Sequence, residues 1–188
     1  MQPKELIEFL NIIGKLKNNT RHVWSESGRQ ESVAEHSWRL TVMALLVAGE
    51  FPEIDINKVV KMCLIHDFGE AITGDIPSFY KTEQDEKTET QAITNLLKQL
   101  PETTSVEFTE LFAEMAELRT EEAKLFKALD KLEAIVSHNE SPIETWLELE
   151  YTENLIYGDE NVTHSEYLSE LREELKQDSL RKIEEDAN

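Results

Sequence analysis

The chain has little of what would indicate a secreted or a membrane-bound protein. Its single cysteine, Cys63, cannot form an internal disulfide and lies in an apolar run, so we expect it to pack in the core of a protein from a reducing compartment. The longest mostly apolar run, residues 40–48, is far too short to span a bilayer. Residues 1–16 lack the basic start and the cleavage site of a signal peptide. These absences predict a cytoplasmic protein that does not associate with a membrane.

Positive charge is also scarce. The sequence has 19 basic and 39 acidic residues, which gives a formal net charge of −20. Such a charge repels polyanions, so we expect no nucleic acid polymer among the partners. It does not exclude a small anionic substrate, because a metal ion and one or two arginines can reverse the sign of the field within one pocket.

Glycine and proline are few, and they mark the ends of helical patterns. With six Gly, five Pro and 39% hydrophobic residues in 188, the chain is expected to form one compact domain. Spacing and capping motifs predict an all-α fold without convincing strands, with helices at 3–13, 32–49, 57–70, 83–100, 106–118 and 121–138. Two further capping boxes, at 141–144 and 163–166, predict two more helix starts. The domain is expected to span 1–176, followed by a charged tail, 177–188, that frays.

Four polar residues lie on helix faces that should be buried. His36 shares a stripe with Val33 and Leu40, and the doublet His66 and Asp67 follows the apolar run of the third helix. Asp130 likewise lies among apolar residues. Alone, each would be interpreted as a hydrogen-bonded core histidine or an ion-paired aspartate. Together, two imidazoles and two carboxylates from three helices form a mixed nitrogen and oxygen set that suits a divalent metal with open positions.

The same residues carry a resemblance to a known family. His36, His66-Asp67 and Asp130 resemble the H…HD…D signature of the HD-domain metal-dependent phosphohydrolases, which are single-domain helical bundles. The segments "ESVAEHSWR", "HDFGEAITGDIP" and "LFKALDKLEA" resemble the 5'-deoxynucleotidase branch in order and spacing over roughly residues 10–149. The resemblance implies that the four residues bind one divalent metal ion, with Mn, Co, Fe, Mg and Zn all open, and that the protein is a homodimer.

Other branches of the family fit less well. Members with two metals, among them di-iron oxygenases and cyclic-dinucleotide phosphodiesterases, carry extra histidines between the doublet and the last aspartate, and this chain has none from Phe68 to Leu129. Hydrolases of the bacterial alarmone resemble a His-Asp-x-x-Glu-Asp pattern. Here Glu70 fits that pattern, but Ala71 stands at the second acidic position.

The resemblance also implies roles for residues outside the metal set. Glu70 matches a general base or acid, Arg21 matches a phosphate-binding arginine, and Asp75 matches a residue that orients water or accepts from the sugar 3'-hydroxyl. The alternatives are a helix-end glutamate, a surface arginine and a turn-forming aspartate. His22 follows Arg21 where the best-studied type has a tryptophan against the sugar, so discrimination against ribose is expected to be weaker unless Trp24 substitutes.

Three hypotheses follow for the function. The first is a phosphomonoesterase that releases phosphate from (deoxy)ribonucleoside 5'-monophosphates. The second is hydrolysis of another small phosphate ester at the same site. The third is a catalytically silent HD module that binds a nucleotide, which the loss of Glu70 or Arg21 would favour; both are present.

Overall fold

The computed structural model describes residues 1–186, and these are predominantly helical. The α-helices are α1 Pro3–Ile13, α2 Val33–Leu46, α3 Ile56–Ile65, α4 Glu70–Thr73, α5 Glu83–Leu97, α6 Glu102–Glu117, α7 Glu121–Glu140, α8 Glu150–Glu153, α9 Asp159–Val162 and α10 Glu166–Asp186. Short 3₁₀ turns lie at Gly14–Lys17, Ala48–Glu50 and Ile143–Thr145. The predicted all-α, single-domain class is confirmed. None of the helices within the described range is long and apolar enough to cross a membrane.

The prediction that the chain contains no strand is wrong in one place. Strand β1, Thr20–Trp24, pairs with β2, Gln30–Ser32, in an antiparallel ribbon with an irregular register. The connecting turn is closed by a hydrogen bond from the Ser25 N–H to the Arg29 carbonyl and uses Gly28 at a φ of 79°, a conformation that suits glycine. The strands are too short to show a clear alternation of apolar and polar residues in the sequence.

The predicted N-terminal cap of α2 is present, and it fixes where the helix that carries His36 begins. The Ser32 hydroxyl accepts from the Glu35 N–H at 3.3 Å, and the Glu35 carboxylate accepts from the Ser32 N–H at 2.9 Å. This reciprocal pair satisfies two backbone donors that the first turn of a helix leaves free.

The core lies where α2, α3 and α7 pack against each other, with α10 covering α7. Its largest fully buried side chains include Leu40, Met62, Leu125, Leu129, Leu132 and Leu168. Burying a leucine or methionine is worth about 1.5–3 kcal/mol, so this cluster holds α2, α3 and α7 together.

The third predicted helix is interrupted at the doublet. Helix α3 is capped by Asp55, which accepts from the Asn57 N–H at 3.0 Å, and not by Asn57 as predicted. It ends at Ile65, and tight i to i+3 hydrogen bonds lead to α4, as from the Phe68 N–H to the Ile65 carbonyl. His66 and Asp67 therefore lie on a turn between two helices.

The C-terminal third also departs from the prediction. The Ser141 hydroxyl accepts from the Trp24 N–H and donates to the Trp24 carbonyl, so it does not cap a helix. The predicted capping box at 141–144 therefore starts only a 3₁₀ turn. Helix α10 is capped by Ser165 and runs to Asp186, and the fraying expected after residue 176 stays a prediction. Ser179 is buried there and donates to the Asn139 side-chain carbonyl at 2.7 Å. Residues 187–188 of the predicted tail lie outside the described residues.

Candidate metal centre and cavity

The four residues predicted to bind metal converge. The Nε2 atoms of His36 and His66 are 3.3 Å apart. Asp67 Oδ2 lies 3.0 Å from His66 Nε2 and 3.9 Å from His36 Nε2. Asp130 Oδ1 lies 3.3 Å and 3.7 Å from the same two nitrogens. Helices α2 and α7 and the turn after α3 bring these atoms together from positions 94 residues apart in the chain (36 to 130).

The three shorter separations, 3.0 to 3.3 Å, match the edges of a metal coordination shell. With metal to ligand distances of about 2.1 Å, neighbouring ligand atoms lie about 3.0 Å apart at right angles and about 3.4 Å apart at tetrahedral angles. The ligand atoms of His36, His66 and Asp67 all lie within 4.8 Å of one another, so these three could hold a metal ion. Asp130 is not part of this compact group, although its Oδ1 lies near both histidine nitrogens; its other carboxylate oxygen is 2.9 Å from Lys127 Nζ.

Both imidazoles are held in the tautomer that a metal needs. His66 Nδ1 donates to the Cys63 carbonyl at 2.9 Å, and His36 Nδ1 donates to the Glu133 carboxylate. In both rings Nε2 is therefore the nitrogen that faces the cluster. Hydrogen bonds of this kind orient a ligating histidine and raise its basicity.

Sequence reasoning missed Glu133, which joins three groups behind the site. Its carboxylate is fully buried and contacts the His36 ring, Arg21 Nη1 at 3.2 Å and Arg39 Nε at 2.7 Å. Burial would raise the pKa of Glu133, but the His36, Arg21 and Arg39 charges lower it to about 2. One signal existed: Glu133 continues the stripe of Phe126 and Leu129 at helical spacing.

The charges of the cluster stabilise one another. Burial and the Arg21 charge disfavour a protonated His36, yet Glu133 and Asp130 raise its pKa to about 9. The pKa of Asp130 is held well below its usual value, because Lys127 and the two imidazoles outweigh the effect of burial. A metal that binds His36 Nε2 would therefore release a proton from the ring.

A cavity of about 670 Å³ opens above the cluster and is lined by all four of its residues. That volume lies in the usual range for a small-molecule site. Glu70 also lines the cavity; it is buried, and its Oε2 has no hydrogen-bond partner among the described residues. Burial, followed by the charges of Asp67 and Asp75, raises the pKa of Glu70 to about 10, so its carboxyl carries a proton at neutral pH.

Arg21 and Asp75 reach the same cavity. Arg21 Nη1 is 2.9 Å from Glu31 Oε2 and 3.2 Å from Glu133 Oε2. Within residues 1–186, all hydrogen bonds of the Arg21 guanidinium group involve this nitrogen. The remaining guanidinium donors can face a ligand. Burial and the charge of Asp67 raise the pKa of Asp75, although Arg21 opposes the shift.

His22 and Trp24 differ in position. His22 lines the cavity, whereas Trp24 is not among the lining residues of the described chain. The indole packs edge-on against His22, with ring centres 4.9 Å apart, and its backbone is fixed by Ser141. The predicted direct contact of Trp24 with substrate therefore has no support in this geometry, because the ring reaches the cavity only through His22.

The comparison that decides the family covers most of the chain. The family model for the HD domain matches residues 13–172. The chain belongs to the HD-domain family. The H…HD…D resemblance is confirmed, and the chain is a metal-dependent phosphohydrolase of this family.

Relatives with assigned activities belong to one group. The 5'-deoxynucleotidase HDDC2 of Dictyostelium discoideum is 35% identical over 140 residues, which cover 69% of this chain and 74% of that protein. The 5'-deoxynucleotidase HDDC2 of Homo sapiens is 33% identical over 141 residues, 73% of this chain and 68% of that protein. The 5'-deoxynucleotidase hdd1 of Schizosaccharomyces pombe is 33% identical over 69% of each chain.

Solved structures share the fold along nearly the whole chain. A predicted metal-dependent phosphohydrolase from Magnetospirillum magnetotacticum superimposes with a TM-score of 0.80 at 27% identity, covering 95% of this chain and 93% of that one. The PH0347 protein of Pyrococcus horikoshii gives a TM-score of 0.72 at 26% identity, covering 92% and 99%.

Proposed function

We propose that this HD-domain protein hydrolyses nucleoside 5'-monophosphates of the deoxy series to a nucleoside and phosphate. The observation that carries the proposal is the compact group of His36, His66 and Asp67 at a cavity whose volume suits one mononucleotide. The relatives named 5'-deoxynucleotidases support the substrate class.

The proposed ligand set is His36, His66, Asp67 and Asp130 around one divalent ion, which is Mn, Co, Fe, Mg or Zn. The fixed tautomers of both histidines, and the separations of 3.0–3.9 Å between their Nε2 atoms and the two aspartate carboxylates, fit such an ion. A bound divalent ion would screen the phosphate charge and lower the pKa of a bound water.

The residues of the chain supply the remaining chemistry. Arg21 is proposed to bind the phosphate with the guanidinium donors that its carboxylate partners leave free. Glu70, protonated because of its burial, is proposed to donate its proton to the leaving 5'-oxygen. Asp75 at the cavity wall is proposed to orient the attacking water or to accept from the sugar 3'-hydroxyl.

The experiment is a phosphate-release screen of the full chain over deoxy- and ribonucleoside monophosphates with each of the five metals. We expect turnover of deoxynucleotides with at least one metal. Glu70→Gln should keep metal stoichiometry and substrate affinity while kcat falls by about 10² to 10⁴, because a general acid contributes that much. Glu153→Gln, which removes another carboxylate of the cavity lining, is the matched control. Release from other phosphate esters alone, or nucleotide binding without turnover, would contradict the proposal.

The quaternary structure and the location in the cell complete the proposal. We propose a homodimer, which exposed apolar side chains on α2 support: Trp38, Leu45 and Leu46. The buried, unpaired thiol of Cys63 is compatible with a reducing, cytoplasmic compartment.

A further inference from the structure

A second polar cluster lies in the cavity, apart from the metal centre. It consists of His22, His138, Glu150 and Asn154, all of which line the cavity. Glu150 Oε1 lies 3.6 Å from His22 Nε2 and 3.8 Å from His138 Nε2, too far for a hydrogen bond to either. Asn154 follows Glu150 by one helical turn, so the two side chains share a face.

Three buried atoms of this cluster have no partner among the described residues. They are His22 Nε2, Glu150 Oε1 and Asn154 Nδ2, and both Glu150 and Asn154 are at least 95% buried. The other Glu150 oxygen accepts from the Leu147 N–H at 2.7 Å, which fixes the direction of Oε1. A buried polar atom without a partner costs about 1–3 kcal/mol, so three in one place indicate that a ligand completes them.

The local charges exclude a simple ion pair. Burial lowers the pKa of His22, and burial together with the Arg21 charge lowers that of His138 to about 3, so both rings are neutral at pH 7. Without a cation beside it, Glu150 has a pKa raised by burial to about 7. The cluster therefore offers an acceptor, an amide donor and two neutral imidazoles, a set suited to an uncharged polar group.

The distance between this second cluster and the metal centre suits the length of a mononucleotide. His138 and Asp130 lie on the same side of α7, facing the cavity, and eight residues apart. At 1.5 Å per residue this separation is about 12 Å along the helix. It is comparable to the distance between the phosphate of a nucleoside monophosphate and the far edge of its nucleoside.

We infer that His22, His138, Glu150 and Asn154 form the subsite that binds the nucleoside end of the substrate, with Glu150 Oε1 accepting a hydrogen bond from it. This inference rests on the proposed function. The donor it requires is either a sugar hydroxyl or an exocyclic amine of the base. A site built to bind such a group rejects the analogue that lacks it, because its own buried atoms then stay unpaired. Glu150 is therefore a specificity-determining residue.

The test uses four nucleotides that differ by one group each. CMP and dCMP differ in the 2'-hydroxyl, dCMP and its 2',3'-dideoxy analogue in the 3'-hydroxyl, and dCMP and its pyrimidin-2-one analogue in the exocyclic amine. Glu150→Gln places its amide oxygen against the Leu147 N–H and so turns a donor, the NH₂, into the cavity where Oε1 was. Glu148→Gln, an exposed neighbour with the same charge change, is the matched control.

We expect Glu150→Gln to lower kcat/KM about 10-fold or more for every nucleotide that carries the recognised donor and to change it little for every nucleotide that lacks it. The pair of nucleotides whose kcat/KM ratio changes in the variant identifies the donor as a hydroxyl or an amine. A uniform change across all four nucleotides, or none, would overturn the inference. If Glu150→Gln unfolds, Asn154→Leu is compared over the same ratios. If the unmodified protein releases phosphate from none of the nucleoside monophosphates in the screen, the proposed function itself fails; if it acts only on another base, the same three comparisons are made with the nucleotides of that base.

Discussion

Glu133 organises the candidate metal centre without lining the cavity. Its carboxylate holds the His36 ring from behind and joins Arg21 to Arg39. Burying a carboxylate is costly unless charged partners surround it, and here an imidazole and two guanidinium groups do so. One side chain thereby couples the orientation of a metal ligand to the position of the proposed phosphate-binding arginine.

Glu133→Gln should weaken metal binding while leaving the four proposed ligands in place. We expect the Kd for the metal to rise about 10- to 100-fold, the usual cost of losing a residue that orients a ligating histidine. Isothermal titration with the preferred metal measures this. Glu140→Gln is the matched control, because Glu140 also pairs with Arg39 but is exposed and far from His36. Equal affinities in all three proteins would show that Glu133 has no orienting role.

Glu150 predicts a pH dependence of stability. Its folded pKa, about 7, is raised above the ordinary value of 4.5, so the folded state binds the proton more tightly. Through this group alone, the free energy of unfolding should therefore fall as pH rises from about 4.5 to 7. The lowered pKa values of His22 and His138 act in the opposite direction, so the contribution of Glu150 is obtained from the difference between the variant and the unmodified protein. Glu150→Gln should remove that part of the fall in urea titrations at pH 5 and pH 8. The same difference in unfolding free energy between pH 5 and pH 8 in both proteins would contradict it.

Among the helices and strands, the sequence predicted what depends on local spacing. Apolar stripes containing His36 and Asp130 identified α2 and α7 and the residues that face inward, because helical periodicity alone decides this. The break of the third helix at His66 could not be predicted, since no Gly or Pro precedes it and tertiary packing decides where it ends. The three partners of Glu133 and the cluster around Glu150 were missed for the same reason: they join residues distant in sequence.

The turn that carries the doublet depends on close packing at Gly69. A Cβ there would lie 2.5 Å from Glu89 Cγ, 3.0 Å from Ile93 Cγ1 and 3.3 Å from the Glu89 carbonyl oxygen of α5. The Glu89 carboxylate is held by Lys81, so its side chain cannot easily move aside.

Gly69→Ala should therefore push α5 away from α4, destabilise the protein by about 1–3 kcal/mol and reduce activity by displacing Glu70. Chemical denaturation and kcat/KM measure the two effects. Gly14→Ala is the control, since its added Cβ meets nothing within 4 Å and its φ of −56° suits alanine. Similar stability of both variants would show that α5 yields without cost.

At the scale of the whole molecule, a phosphate group needs local positive charge to enter the cavity. Four basic residues line the cavity, Arg21, Lys81, Lys127 and Lys131, but seven acidic residues line it as well, so the side chains alone do not make it basic. A divalent ion at the candidate centre would add positive charge beside Arg21, so a phosphate monoester could enter a molecule whose net charge is −20. Long polyanions meet the acidic exterior instead, which agrees with a substrate of one nucleotide.

The exposed face of α2 leads to a prediction about assembly. Trp38 is 65% exposed, and Leu45, two turns further on the same side, is 57% exposed, with Leu46 beside it at 78%. Large apolar side chains grouped in this way are typical of a surface that another chain covers, so we expect two copies to meet there.

Light scattering after gel filtration should give the mass of two chains for the unmodified protein and of one for Trp38→Asp. Leu10→Asp changes an equally exposed apolar residue on α1 and should remain dimeric. If Leu10→Asp were monomeric and Trp38→Asp dimeric, the contact would lie on α1, and a monomeric unmodified protein would exclude the dimer altogether.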